Sequence, residues 1–335
     1  MRKQFNVAIA GATGAVGIEM IQCLEKRNFP VKGLRLLASS RSIGKKLRFK
    51  GVEHPVEELR EDSFQGIDIA LFSAGASRSK EFASAAVKAG AVVVDNSSAF
   101  RMDDDVPLVV PEVNPEDIKK HKGIIANPNC STIIMLVGVF PLHKAKNMKR
   151  LIASTYQAAS GAGAKAMEEL VFQSKEILAG KTKVEASALP QRIAFNLFPH
   201  IDVFLDNGYT KEEMKMLHES RKIMSCPELQ VTCTCVRVPV LRAHSESLTM
   251  EFESEITPDE ARAILSKAPG VTVVDDPAKK LYPMPIDASG LDNVLVGRIR
   301  QDISRGDKRG LCMFVAGDQL LKGAALNAVQ IAELL

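Results

Sequence analysis

Phe5 to Ala10 reads FNVAIA, a short apolar run, and GATGAVG follows it directly, with glycines at 11, 14 and 17. An amphipathic stretch from Ile18 to Lys26 comes next. A buried strand, a glycine turn and a helix in one unit form the arrangement that presents backbone N–H groups to a pyrophosphate. Gly11 permits the tight turn, Gly14 lets a phosphate approach the backbone, and Gly17 lets the helix pack close to the strand. The spacing is GxxGxxG rather than the commoner GxGxxG, so the flanking strand and helix carry much of the reading. The second strand, Leu34 to Ala38, bears on the cofactor. Sheets that bind NAD usually place a carboxylate near its end for the ribose 2′-hydroxyl. Here Ser39-Ser40-Arg41-Ser42 follows instead. A guanidinium beside small hydroxyls suits a 2′-phosphate, which points to NADP. The competing reading is a solvated basic loop, because Lys45, Lys46 and Arg48 lie just beyond.

Strand and helix patterns alternate to about residue 128. Ile67 to Ser73 leads through small residues to a helix pattern over Lys80 to Ala89, then to strands at Ala91 to Asp95 and Ile124 to Ala126. Such alternation predicts a doubly wound parallel sheet with its ligand loops, Ser73 to Ser79 and Asn96 to Ala99, at the carboxyl ends of the strands. Beyond residue 130 longer segments appear at Leu151 to Gln157, Val231 to Val240, Ser247 to Ser254, Val294 to Gln301 and Leu311 to Ala316. Helical patterns over Lys165 to Ala179 and Thr210 to Met224 separate them, which predicts an α+β domain with a mixed sheet and helices on one face. Asp318 to Leu335 reads as a helix that packs back on the first domain. The domains expected are therefore 1–128 with 317–335, and 129–316.

Composition narrows the classes. The 335 residues carry 44 Lys plus Arg against 40 Asp plus Glu, an excess too thin and too dispersed to imply nucleic acid. The most apolar stretch, Ile133 to Leu142, is far shorter than the roughly 18–20 residues that span a bilayer. MRKQFNVAIAGATG reads as a first strand rather than a signal peptide, and six dispersed cysteines suit reduced thiols, so a cytoplasmic protein is expected.

Pro128-Asn129-Cys130-Ser131-Thr132 precedes the apolar run Ile133 to Phe140. Asn129 suits an N-cap, which puts Cys130 in the first turn of a helix. The free N–H groups and helix dipole there favour a thiolate, and also an oxyanion on a carbon bonded to that sulfur. Cys23, Cys226 and Cys312 read as core filling. Cys233 and Cys235 lie on one strand face without a second CxC or CxxC, so no metal site is expected. Among six histidines, His244 stands out, between the segments RVPVLRA and SES at a strand end. A cysteine nucleophile beside a nicotinamide cofactor suits one reaction class: the thiolate adds to an aldehyde, hydride leaves, and water or phosphate releases the acyl group from the thioester.

GATGAVG, LFSAGAS, VVVDNSSAFRMDDDVPLVVPEVN, PNCSTI, STYQAASGAG, EEMKMLHESRKIM, CVRVPVLRAHSES, VGRIRQD and GDQLLKGAALNAVQIAE run through the whole chain. With these segments it closely resembles the bacterial aspartate-semialdehyde dehydrogenase family. The resemblance implies a Rossmann-like doubly wound parallel sheet plus an α+β catalytic and dimerisation domain with a mixed sheet, and a homodimer. It implies reduction of aspartyl phosphate with NADPH to aspartate semialdehyde and phosphate, a step toward lysine, threonine, methionine and isoleucine. By motif, Cys130 would be the acyl-thioester nucleophile, His244 the acid–base catalyst and Gln157 the residue that orients the thioester. Arg237 would grip the substrate α-carboxylate, Glu219 its ammonium group, and Lys222 with Arg101 the phosphate. Gly11, Thr13, Gly14, Ala15 and Val16 would line the pyrophosphate, Arg41 and Ser42 the 2′-phosphate, Ser160 and Gly161 the nicotinamide side, with Gln319 a late cofactor contact. Spacing alone makes Glu219 and Lys222 an exposed helical pair and Arg101 a loop charge, and Arg242 has no such counterpart and reads as a surface charge. Two rivals remain: an N-acetyl-glutamyl-phosphate reductase, whose substrate has no ammonium for Glu219, and a catalytically silent NADPH-binding paralogue, which should lack the nucleophile or base.

Overall fold

Short apolar strands, FNVAIA, IALF and VVVD, form the middle of the first sheet, because both faces of a doubly wound sheet are covered there. The computed structural model describes residues 3–335. The chain divides into two compact units, one running up to Asn129 and resuming over Gly323–Leu335, the other comprising Cys130–Lys322.

The first unit contains β1 (Phe5–Ala10), α1 (Ala15–Lys26), β2 (Val31–Ala38), β3 (Lys46–Phe49), β4 (Val52–Glu58), β5 (Ile69–Phe72), α2 (Ala76–Lys88), β6 (Val92–Asp95) and β7 (Ile124–Ala126). Its seven-stranded sheet has the order β3-β4-β2-β1-β5-β6-β7, parallel except for the antiparallel β3–β4 edge. β1 lies between β2 and β5, so the direction of winding reverses at its carboxyl end, where such sheets take their ligands. Lys46 and Arg48 belong to β3, not to a basic loop. Their charges sit on an edge strand, where they discourage pairing with another chain. α1 begins at Ala15 and α2 at Ala76, each three or four residues before the sequence reading, because the small residues taken as loop form the first turns.

The second unit starts with α3 (Cys130–Lys146), then β8 (Met148–Gln157), α4 (Ala164–Leu178), α5 (Lys211–Ile223), β9 (Gln230–Arg237), β10 (His244–Phe252), α6 (Pro258–Leu265), β11 (Val271–Val273), α7 (Pro285–Ala288), β12 (Val294–Gln301) and β13 (Gly310–Gly317). The six-stranded sheet, β11-β12-β13-β10-β8-β9, is mixed: β8–β9 and β11–β12 are parallel, the other pairs antiparallel. α3 packs against α5, α6 and the sheet, burying Ser131 to Val139 without interruption. β10 begins at His244 rather than Ser247. The polar triplet His244-Ser245-Glu246 is fully paired with β13 and, from Ser245 on, with β8.

The C-terminal segment is not one helix. Asp318 Oδ1 accepts from the backbone N–H groups of Leu320 (2.9 Å) and Leu321 (3.2 Å), a π turn covers Leu321–Ala325, and α8 (Leu326–Glu333) follows. In the first unit α8 lies against α1, β5 and β6. Asn327 donates to the Val109 carbonyl (3.0 Å) and to Asn127 Oδ1 (2.7 Å), and Arg27 holds Glu333 through two bonds of 2.6 Å.

Candidate active site

At the carboxyl end of β1 the backbone turns on Gly11, whose φ of +90° suits glycine. A Cβ on Gly11 would sit 2.4 Å from the Ser73 carbonyl oxygen, and one on Gly17 would sit 2.2 Å from the Gly11 carbonyl oxygen. These contacts draw the ends of β1 and β5 and the first turn of α1 together. Gly14, in extended conformation, immediately precedes α1, so the N–H groups of Ala15 and Val16 begin the helix. A cavity of about 510 Å³ opens here, lined among others by Gly11, Thr13, Gly14, Ser39, Ser40 and Arg41. Thr13 Oγ1 lies 3.3 Å from Ser42 Oγ and ties the glycine loop to the turn after β2. The residues that follow β2 at the cavity rim are hydroxyls and a guanidinium, and the donor set fits the phosphates of a dinucleotide. Arg78, which also lines the cavity and pairs with Glu81 (2.7 Å), adds a second guanidinium that the sequence reading did not single out.

Arg101 is buried in the same unit, not a loose loop charge. Its guanidinium donates to the carbonyls of Asn127 (3.0 Å) and Asn96 (3.1 Å), and so pins the loops after β6 and β7. Asp95 at the end of β6 accepts from Ser79 Oγ (2.6 Å) and Ser97 Oγ (2.7 Å). Burial pushes its carboxyl up, against those hydrogen bonds and the charge of Arg101.

The other site residues belong to the second unit. Cys130 is the first residue of α3, half-buried and not disulfide-bonded. Gln157 and Arg237 are register partners at the adjacent ends of β8 and β9. Ser245 pairs with Tyr156, which brings His244, at the start of β10, level with Gln157. Three strands from distant parts of the sequence thus deliver Gln157, Arg237 and His244 to one end of the sheet, all buried. The turn Ala159–Ala162 closes over them. Its Ala158 carbonyl accepts from Arg237 Nη1 (2.6 Å), and its Ala158 N–H donates to His244 Nδ1 (3.1 Å). A Cβ on Gly161 would lie 2.9 Å from His244 Nε2 and 3.0 Å from Arg237 Nη1, so both heads face the space this glycine leaves. Arg237 Nε and His244 Nε2 are buried without a hydrogen-bond partner among the described residues. Burial and then the Arg237 charge hold the His244 imidazole well below its ordinary pKa, against a backbone hydrogen bond with Ala243 that acts the other way. Burial lowers Arg237 too, against the opposing influence of Cys130, Glu212 and Cys235. Gln157 Nε2 donates to Thr155 Oγ1 (3.3 Å) and Glu212 Oε1 (3.4 Å).

Glu219 and Lys222 lie on α5, which packs on both α3 and β9. Glu219 is only 1% exposed and Lys222 is half-buried, so the exposed-pair reading is corrected. Ser160 and Gln319 meet: the Gln319 amide donates to Ser160 Oγ, and its Oε1 accepts from the Ala243 N–H (2.8 Å). Arg242 is not a mere surface charge, since Nε bonds the buried Asp318 carboxylate at 2.6 Å. Glu212, Glu246, Asp318 and the buried Lys322 escaped the sequence reading, because neighbouring residues give no sign that these charges are enclosed. Among the described residues no group of three or more His, Cys, Asp or Glu is placed to hold a metal ion, and no helix is long and apolar enough to cross a membrane.

A dinucleotide cradle on one unit and a cysteine–histidine–arginine centre on the other define a class, and family comparison agrees with it. Residues 6–121 match the semialdehyde dehydrogenase NAD binding domain and residues 139–322 the semialdehyde dehydrogenase dimerisation domain. Within that class the chain belongs to the aspartate-semialdehyde dehydrogenase family. It is 60% identical to the aspartate-semialdehyde dehydrogenase of Aquifex aeolicus, over 99% of this chain and 98% of the relative. The crystal structure of aspartate semialdehyde dehydrogenase II from Vibrio cholerae complexed with ASA superposes with a TM-score of 0.96 at 48% identity, covering 99% of this chain and 98% of that one. The Candida albicans enzyme with NADP gives 0.76 at 26% identity, with 99% and 98% covered.

Proposed function

We propose that the chain reduces L-4-aspartyl phosphate to L-aspartate 4-semialdehyde with NADPH, through an acyl thioester on Cys130, as a step in amino-acid biosynthesis. The observation that carries this reading is the buried end of the second sheet. There a guanidinium and an imidazole, each with an unpartnered ring or Nε nitrogen, face the gap at Gly161 on the unit whose helix begins at Cys130. An unpaired buried cation is costly unless a ligand anion completes it. The substrate α-carboxylate fills that role at Arg237, with Glu219 taking the ammonium group and Lys222 and Arg101 the phosphate.

In the first step the Cys130 thiolate attacks the acyl carbon, the S–C bond forms and phosphate leaves. The N–H groups that open α3 stabilise both the thiolate and the oxyanion that develops on the attacked carbon. Gln157 orients the thioester carbonyl. Gly11, Thr13, Gly14, Ala15, Val16, Arg41 and Ser42 would hold NADPH, with Ser160, Gly161 and Gln319 toward the nicotinamide, and it would supply the hydride. The protonated form of His244 then gives its Nε2 proton to the developing oxygen, leaving the neutral ring, and takes it back as the carbonyl re-forms and the thiolate departs. Burial beside Arg237 makes the protonated ring a stronger acid toward that oxygen and leaves the neutral ring to take the proton back. The same groups run the reverse, phosphate-dependent oxidation. A homodimer assembled through the second unit accompanies this function. The relatives' domain of that name spans it, and the sheet face opposite α3 leaves Tyr156 exposed and stacked on Phe314.

The test mixes purified chain with aspartate semialdehyde, phosphate and either NADP⁺ or NAD⁺ and follows reduced cofactor. Turnover with a preference for NADP⁺ is expected. Cys130→Ala abolishes it while NADPH binding persists, and turnover retained in that variant contradicts the thioester.

A further inference from the structure

The residue before His244 has an unusual backbone. Ala243 is buried and adopts φ +72°, a left-handed conformation that an alanine avoids unless its surroundings impose it. Two neighbouring side chains supply that constraint. On one side, Gln319 Oε1 accepts the Ala243 N–H at 2.8 Å. On the other, Arg242 Nε meets Asp318 Oδ2 at 2.6 Å, and the same oxygen accepts from the Gly290 N–H at 2.7 Å. Asp318 is itself fixed, fully buried and accepting from Leu320 and Leu321 through Oδ1. The Arg242 carbonyl takes a further bond from Ser289 Oγ (3.3 Å). Residues 242 and 243 are therefore held from both sides immediately before the chain enters β10. The imidazole that follows has little freedom of its own, with Nδ1 on the Ala158 N–H and its edge against Gly161.

We infer that Arg242 and Asp318 are positioning residues: their ion pair keeps Ala243 left-handed and so aims the His244 ring at the reacting oxygen. This inference rests on the acid–base reading of His244. Neither residue touches substrate or cofactor in this scheme. They act through the backbone, by removing the alternative in which Ala243 relaxes to negative φ and the ring swings off Ala158.

The experiment uses Arg242→Met, the more conservative Asp318→Asn, and Arg242→Met combined with Ala243→Gly, all in the full chain. Removing the clamp should lower kcat by about 10- to 100-fold, the scale of a small misplacement of a catalytic group, with KM for aspartate semialdehyde changed by less than about twofold. Amide hydrogen exchange at Ala158 should speed up in the same variants, because its acceptor has moved. Glycine reaches positive φ without strain, so Ala243→Gly should restore part of kcat in the Arg242→Met background. Unchanged kcat together with unchanged Ala158 exchange in Asp318→Asn overturns the clamp, as does a loss of kcat with Ala158 still protected. If Arg242→Met does not fold, Asp318→Asn alone decides between these results. The two readings fail separately: a His244→Asn variant that keeps full turnover removes the acid–base role, while Ala158 exchange still reports whether the clamp exists.

Discussion

Gly161 shows how much a single absent atom can matter at this centre. Its α-hydrogen occupies the place where any larger residue would press on the His244 ring at 2.9 Å and on Arg237 Nη1 at 3.0 Å. Gly161→Ala is expected to cut kcat/KM about 100-fold by displacing both heads, with little change in melting temperature, which steady-state kinetics and calorimetry would check. Glu246, two residues beyond His244, makes a different kind of prediction. Its carboxyl is fully buried, neither oxygen has a hydrogen-bond partner among the described residues, and burial reinforced by the Glu212 charge pushes it well above the usual carboxylate range. The folded chain therefore keeps a proton that the unfolded chain releases above about pH 4.5, so stability falls as pH rises from there toward the folded value. Glu246→Gln should remove this dependence. Relative to the parent, the variant should gain stability as pH rises from about 4.5, as measured by denaturant melts across pH. At this scale Cys130 stood out by its place before an apolar run and His244 by its place at a strand end, whereas Arg237, Glu219 and Lys222 were singled out only through the family resemblance. Glu246, Glu212 and Asp318 were not singled out at all, since an acidic residue among other polar residues reads as solvated until the strands around it are known.

Elements were read well where a periodic pattern runs into a chemical stop. α5 follows Thr210, whose Oγ1 accepts from the Glu213 N–H (3.3 Å), while Glu213 Oε2 accepts from the Thr210 N–H (2.7 Å). This reciprocal cap fixes the helix start, and thereby the face on which Glu219 and Lys222 stand. Thr210→Ala is expected to cost about 1 kcal/mol, lowering the melting midpoint of the second unit by about 2–4 °C in a thermal scan. A midpoint unmoved within error would mean that packing on α3 and β9 holds the helix without its cap. Strand starts were harder. β10 was placed three residues late because hydrophobic alternation begins at Leu248, whereas pairing begins at His244. β3 and β4 were missed because an edge hairpin carries charge on purpose, and a charged strand has no periodic signature distinct from a loop.

At the scale of the whole molecule, a segment at the far end of the chain completes the first unit. α8 buries Leu326, Ala328, Val329, Ile331 and Ala332 and donates through Asn327 to Asn127, just upstream of Cys130. Ending the chain after Lys322 should therefore abolish NADPH binding, seen as loss of cofactor fluorescence enhancement, even though the glycine loop itself remains. Binding that survives the truncation would show that the sheet stands without α8. The amino-acid order alone determined the local devices: the glycine turn before α1, the cysteine at the head of α3, and the absence of a carboxylate after β2. Each depends on contacts within a few residues, so spacing and residue type suffice. Only tertiary structure decided which charges are enclosed and what they hold. Arg242 finds Asp318 across 76 residues, and His244 finds Ala158 across 86. Whether such a group is solvated or buried is set by strand pairing over those distances, and that pairing leaves no mark in the sequence around it.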